Sequence, residues 1–468
     1  MKVVSLGGAG EVTGSRHLVQ GESGQVLLDC GMHQGGDAVS RLRRESLRVR
    51  PQQLDAIVLS HAHLDHSGLL PKMVNRGYRG PIYCTPATRN LLAIMLDDAA
   101  SLYFRDLEQA NLRRRRAGQT PWDAEYTHED VLAVLEQCET LDYHRETEIL
   151  PGMHLNFLDA GHILGSAIVE LHQGSRGAHR QTLVYSGDLG KVDSVLMRDP
   201  EVPEQADLVL MESTYGNRDH RSLPDTLKEL QDILRRAERE RGNLILPAFA
   251  VGRTQELLFH LGCLYHAGQL KNWRVFLDSP MAIEVTALYS QWLDALDEED
   301  QRLLAHYRAR TLEQFLPSLS LCATVEESMQ INRIEQGAII IAGSGMCNGG
   351  RVRHHLKHRL WQERNHIVFS GFQAKGTLGR ALVDGADRVR MFGQQFAVRA
   401  QIHTLGGFSA HAGRTQLLAW ARAIGGNPRF RLVHGEETAL NALCEALVDE
   451  GMEAEVAVLD ESVEALAG

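Results

Sequence analysis

Cysteine is scarce in this chain of 468 residues. The seven (30, 84, 138, 263, 322, 347 and 444) are odd in number and form no CxxC pair, so neither a disulfide framework nor a cysteine-built zinc site is expected. Long apolar runs are also missing, with nothing near the ~18–20 residues that cross a bilayer. The N-terminus, Met1-Lys-Val-Val-Ser-Leu-Gly-Gly8, enters a strand and a glycine turn, with no secretory apolar region. There is no internal repeat, low-complexity tract or linker. An excess of basic charge is absent too: 49 Lys+Arg face 60 Asp+Glu, a formal net charge of −11. That balance argues against a surface coated for non-specific nucleic-acid binding. Together these absences predict a soluble, cytoplasmic protein with no membrane partner. What is present suffices for a packed core, with 43% hydrophobic and 23% charged residues. At roughly 150 residues per domain, the length suits about three domains or two large ones.

Histidine is the unusual entry in the composition, at 22 residues, nearly matching the aromatics. In a chain short of cysteine, metal chemistry should use imidazole and carboxylate.

The first third reads as short strands between glycine turns: Lys2–Leu6, Arg16–Gln20 and Gln25–Asp29, with Gly21–Gly24 as a hairpin turn. Asp55–Ser60 is an apolar strand delivering polar residues at its end. A long helix should follow Pro86, with Leu91, Leu92, Met95 and Leu102 on one face and Arg113–Arg116 near its end. Strands resume at Met153–Leu158, Ile168–His172, Thr182–Ser186 and Leu208–Glu212. From about 220 to 390 helices (Leu223–Arg241, Arg253–His266) alternate with strands (Asn243–Leu246, Arg274–Leu277, Ala338–Ala342, His366–Phe369), the rhythm of a parallel α/β unit. Gln401–Leu405, Arg431–His434 and Glu455–Leu459 read as strands of the tail. The pattern is one β-rich domain interrupted by an α/β insertion, with divisions expected at 1–207, 208–391 and 392–468.

Directly after the Asp55–Leu59 run comes Ser60-His61-Ala62-His63-Leu64-Asp65-His66. Alternate residues of an extended segment point the same way, so His61 and His63 can reach one metal, and the turn carries Asp65 and His66 toward a neighbouring position. Further ligand candidates end later strands: His162 in a glycine-flanked turn, Asp188 in Tyr185-Ser-Gly-Asp-Leu-Gly190, and His434 in Val433-His-Gly-Glu436. Each alone is more simply a turn residue or a satisfied histidine. With the first motif they supply ligands for two metals.

In order and in residue type these motifs resemble the β-CASP nucleases of the metallo-β-lactamase superfamily, near the bacterial and archaeal relatives of the pre-mRNA 3′-end cleavage endonuclease. The resemblance rests on Asp29, the His61–His66 motif, His162 and Asp188. It extends to Glu212 in Met211-Glu-Ser-Thr-Tyr-Gly216, His411 in Phe408-Ser-Ala-His411 and His434. It implies an αββα metallo-β-lactamase sandwich, of the α/β class, interrupted by an α/β β-CASP insertion with a parallel sheet. It also implies two zinc ions per chain: His61, His63 and His162 on one, Asp65, His66 and His434 on the other, Asp188 bridging. Asp29 would then fix the tautomer of a ligand histidine. His411, oriented by Glu212, would protonate the leaving oxygen, completing with Asp65 and Asp188 the catalytic set.

The implied activity is zinc-dependent hydrolysis of RNA, endonucleolytic or 5′-3′ exonucleolytic, on a single strand held between the two domains; a homodimer is compatible with it. Phosphate contacts are expected from Ser344 and Gly345 in Ala342-Gly-Ser-Gly-Met-Cys-Asn-Gly-Gly350, where glycine lets backbone N–H groups approach an anion. Arg253 and Thr377, in segments 248–254 and 371–377, are expected to join them, although each glycine stretch is equally a plain turn.

Two other signals carry less. Gly8-Ala-Gly10-Glu-Val-Thr-Gly14 imitates a dinucleotide fingerprint but leads into a strand rather than a helix. Arg351–His358, with three histidines, could pose as a metal cluster and is more simply a basic helix face; Arg113–Arg116 reads as a solvated helix end or an RNA-steering patch. The rivals are a DNA-directed nuclease of the same family, against which His434 counts by the family's pattern, a small-molecule hydrolase, which needs no insertion, and a non-catalytic scaffold subunit, which need not keep every ligand.

Overall fold

A computed structural model describes residues 1–33, 38–174 and 180–465. The backbone divides into two compact units. One comprises Met1–Ser194, Arg198–Asp219 and His411–Gly468; the other comprises Val195–Met197 and His220–Ala410.

The first unit holds two seven-stranded sheets. In one, Lys2–Gly7 lies between Ser462–Glu464 and Arg16–Gln20, and the order continues through Gln25–Leu28, Ala56–Val58, Ile82–Cys84 and Cys138–Thr140. The other runs Ala454–Val456, Arg429–Val433, Leu208–Glu212, Gln181–Tyr185, Ala167–Gln173, Met153–Asp159, Thr147–Leu150. Strand alternation explains how they stack. Leu208 and Leu210 join Val26, Val58, Phe157 and Leu183 in a core between the sheets, whereas Val209 and Met211 point the other way. Those outward residues pack against helices Arg414–Ala423 and Glu437–Asp449 through Leu417, Ala421, Leu440 and Leu443. Helix Pro86–Arg116 flanks the first sheet, begun by the Thr85 side chain, which accepts from the Thr88 N–H. The expected αββα sandwich is therefore present.

One expected face is corrected. Leu91, Leu92 and Met95 of the long helix are buried, but Leu102 is exposed. The buried stripe winds round the 31-residue helix, and by its second half Ala100, Tyr103 and Leu107 face inward, with Tyr103 stacked on Tyr126.

The second unit is built on a six-stranded parallel sheet in the order Leu319–Leu321, Arg274–Leu277, Ala338–Ala342, Leu244–Pro247, His366–Phe369, Gln401–Thr404. Its near-continuous apolar strands suit a sheet covered on both faces. Two boundaries fall differently from the sequence expectation. Leu208–Glu212 pairs with Gln181–Tyr185 and Arg429–Val433, inside the first unit. Gln401–Thr404, read as part of the tail, pairs with His366–Phe369. The compact inserted unit runs from His220 to Ala410, together with Val195–Met197. The tail strand expected at Glu455–Leu459 is Ala454–Val456, and a further strand, Ser462–Glu464, follows it. Among the described residues no helix is long and apolar enough to cross a membrane.

Candidate metal centre

Ala56–Val58 leads into a turn, buried as far as Ala62, that carries His61 and the half-buried His63, and the short helix Leu64–Ser67 then places Asp65 and His66. His162 comes from the turn after Met153–Asp159, Asp188 from the turn after Gln181–Tyr185, and His434 from the end of Arg429–Val433. All lie within the first unit.

These side chains form two adjoining clusters. In the first, His61 Nε2 lies 3.0 Å from His63 Nδ1, which is 3.3 Å from His162 Nε2. Asp188 Oδ2 is 3.6 Å from both His61 Nε2 and His162 Nε2. Four ligands on one tetrahedral zinc, with bonds of about 2.0–2.1 Å, stand about 3.3–3.4 Å apart, so the spacing fits one ion. In the second, His66 Nε2 is 3.2 Å from His434 Nε2 and 3.3 Å from Asp188 Oδ1, and Asp65 Oδ2 is 3.8 Å from His434 Nε2. Asp188 thus divides its two oxygens between the clusters. Its Oδ1 is buried without a hydrogen-bond partner, a costly state for a carboxylate oxygen unless a cation meets it.

Neighbouring groups aim the ligands. Asp29 Oδ2 accepts from His66 Nδ1 at 2.6 Å, from Ser60 Oγ at 2.7 Å and from Tyr185 Oη at 2.7 Å, and its Oδ1 accepts from the Ser60 N–H. With its hydroxyl proton given to Asp29, Ser60 Oγ accepts from His61 Nδ1 at 3.0 Å. Both imidazoles therefore present Nε2 to the clusters. The Gly8–Gly14 loop has a role of another kind: its carbonyls at Gly8 and Glu11 accept from the N–H groups of His434 and Gly435, clamping the last ligand.

Burial pushes His61 and His63 below the ordinary imidazole range, which keeps them neutral and ready to donate lone pairs. For His66 burial works downward, but the Asp188 and Asp29 carboxylates hold it well above that range. Burial opposes the Asp65 carboxylate too, yet the His434 hydrogen bond with His66 and His63 brings it down to about 2.

A third group, Asp188, Glu212 and His411, adjoins the first. Glu212 is fully buried and held by the Leu189 and Thr214 N–H groups; its Oε1 takes His411 Nδ1 at 3.0 Å. Burial lowers the His411 pKa, but Glu212 and then Asp188 raise it to about 9. The His411 side chain keeps 21% of its surface exposed, enough to reach a bound molecule.

Every sequence-predicted residue of the histidine motif is thus brought together with His162, Asp188, His434, Asp29, Glu212 and His411. Tyr185, Ser60 and Thr214, whose hydroxyl lies 3.2 Å from His434 Nδ1, escaped the sequence reading. Hydroxyl residues carry no spacing signature, although all three stand inside the motif segments.

Ser344, Gly345, Arg253 and Thr377 lie in the second unit, the first two on the loop after Ala338–Ala342, Arg253 at the start of helix Arg253–His266 and Thr377 just before helix Leu378–Val383. Gln373 Nε2 donates to the Gly345 carbonyl, and Gly379 N to that of Met346, so the 343–350 and 371–377 loops touch. Ser344 Oγ accepts from Gly349 N, Thr377 Oγ1 caps helix Leu378–Val383, and the buried Arg253 pairs with Glu256. All three side chains are thus engaged locally, and Gly345 offers only its backbone. His355 of the basic helix donates to Asp278, while His354, Lys357 and His358 face solvent, as a basic face requires.

Comparison with known proteins matches three family profiles in succession. Residues 10–248 match the metallo-beta-lactamase superfamily, 254–382 the Beta-Casp domain, and 396–457 the Zn-dependent metallo-hydrolase RNA specificity domain. Ribonuclease TTHA0252 of Thermus thermophilus is 40% identical over 99% of this chain and 100% of its own length. Transcription termination factor FttA of Methanosarcina mazei is 33% identical over 94% of this chain and 67% of its own, and that of Methanocaldococcus jannaschii 32% over the same shares. Among solved structures, a protein of unknown function from Enterococcus faecalis superposes with a TM-score of 0.52 over 99% of both chains at 12% identity, a likeness of fold alone.

Proposed function

Because the chain belongs to the metallo-beta-lactamase superfamily, as a metal-dependent hydrolase carrying Beta-Casp and RNA specificity domains, we propose that it is a ribonuclease with a two-zinc centre. The observation that carries this reading is Asp188, which offers one carboxylate oxygen to each cluster. His61, His63 and His162 would hold one zinc, and Asp65, His66 and His434 the other. Zinc bound there supplies Lewis acidity toward a phosphodiester and lowers the pKa of a water to about 7.

The remaining steps belong to the chain. Asp29 and Ser60 hold the protons of His66 and His61 on the nitrogens facing away from the centre. His411, with a pKa of about 9, is protonated at neutral pH. Glu212 retains its Nδ1 proton, leaving the Nε2 proton to pass to the leaving oxygen. The substrate class, RNA rather than DNA, is supported by His434 and by the activities printed for the relatives.

Zinc-loaded protein should carry about two zinc ions and cleave single-stranded RNA. His63→Ala should abolish cleavage. His411→Ala should keep the zinc and lower kcat by about 10²–10⁴-fold. Zinc-loaded wild type that leaves RNA intact sinks the proposal and returns the scaffold reading. Products from 5′-monophosphate, 5′-triphosphate and structured RNAs separate internal cutting from 5′-end digestion.

A further inference from the structure

The second unit carries a two-stranded hairpin, Arg388–Met391 paired with Gln394–Ala397, whose turn begins at Phe392. Phe392 occupies left-handed backbone (φ 50°) and leaves 44% of its surface exposed. Its neighbour Met391 is fully buried with Val352, Leu356 and Leu382, so the core anchors the hairpin and presents the phenyl ring outward. Backbone preference does not account for an aromatic residue there.

Two cations and an imidazole surround that ring. The Arg353 guanidinium lies 4.8 Å from its centroid, the Lys357 ammonium 5.8 Å and the His354 ring 4.8 Å, all from helix Val352–Arg359. Arg388 and Arg390 are exposed on the outward face of the hairpin. No Asp or Glu occurs in residues 338–362 or 388–410 of this unit, in a chain whose net charge is −11. The surface is also continuous with the glycine loops, because Arg353 Nη1 donates to the Asn348 carbonyl and Asn348 Oδ1 accepts from Leu378 N.

We infer that this surface is a second binding site for single-stranded RNA, a reading that rests on the ribonuclease proposal. An unpaired base stacks on Phe392, and Arg353, Lys357, Arg388 and Arg390 hold the flanking phosphates. A lone ring among fixed cations offers stacking and charge together, the pair of contacts that unpaired nucleotides use.

The test measures binding of labelled oligouridylate to the full chain in a His63→Ala background, so that the RNA stays intact. Phe392→Ala should weaken binding about tenfold, and Phe392→Trp should restore it. Lys357→Glu should weaken single- and double-stranded RNA alike, whereas Phe392→Ala should spare the duplex. In the zinc-loaded chain with His63 restored, Phe392→Ala should leave hydrolysis of a small aryl phosphodiester unchanged. Unaltered oligouridylate affinity in Phe392→Ala, an equal loss on duplex RNA, or Phe392-dependent sedimentation with phosphatidylserine vesicles in place of RNA binding overturns the inference. Failure of the ribonuclease reading shows separately, as intact RNA in the presence of zinc-loaded wild type.

Discussion

Asp29 takes no ligand position, yet three side chains and one backbone N–H converge on its carboxylate. It does so from left-handed backbone (φ 58°), a conformation that Asp and Asn tolerate better than other side chains. Asn at this position therefore preserves the backbone while removing the charge that holds the His66 and Ser60 protons. Asp29→Asn should weaken zinc binding by about 10–100-fold, read by competition with a chromogenic chelator. Wild-type affinity in that variant would show that Asp29 does not orient the ligands. Asp29 was reached in the sequence through the family resemblance, which places an aspartate after a strand ahead of the histidine motif. Tyr185 and Ser60 were not, since a hydroxyl facing a carboxylate arises from the packing of strands far apart in sequence.

At the scale of elements, the histidine motif depends on a segment with no chemistry of its own. Cys30 N and Met32 N donate to the carbonyls of His66 and Leu64, and Ser15 N to that of Asp65, so residues 30–32 lie directly alongside the ligand turn. Gly31 is what permits the approach: a Cβ there would stand 1.6 Å from the Asp65 carbonyl oxygen. Gly31→Ala must displace the Asp65–His66 turn, lose about 1–3 kcal/mol of stability and lower the zinc content below that of wild type. Retention of full zinc content and melting temperature would contradict this account. Sequence periodicity had no means of singling out Gly31 among 43 glycines. For a related reason the insertion's first boundary was misplaced: Leu208–Glu212 is as apolar as the strands of the parallel sheet, and only its pairing shows which sheet it joins. The HxHxDH motif, by contrast, was decisive because adjacent ligands on one strand and turn need no tertiary information to be recognised.

For the molecule as a whole, pH should act through His33 as well as through the metal centre. Hydrogen bonds from His33 to Glu11 (2.7 Å) and Glu45 raise its pKa to about 9, with partial burial opposing them. A folded pKa above the unfolded value near 6.5 means that this contribution is complete below about pH 6.5 and is lost as pH rises through about 9. Melting temperature should therefore fall across that window, and His33→Gln should flatten the fall while starting from lower stability. An identical slope in the variant would assign the alkaline loss to another group.

The clamp on His434 also sets an order of events during synthesis. His434 is held by carbonyls of the Gly8–Glu11 loop, and the N-terminal strand Lys2–Gly7 pairs with Ser462–Glu464. A chain still being translated thus possesses His61, His63, His162 and Asp188 long before it possesses the second cluster. The second cluster can therefore close only after residue 434 has been made and has returned to the chain's first residues, which makes it the last part of the site to assemble.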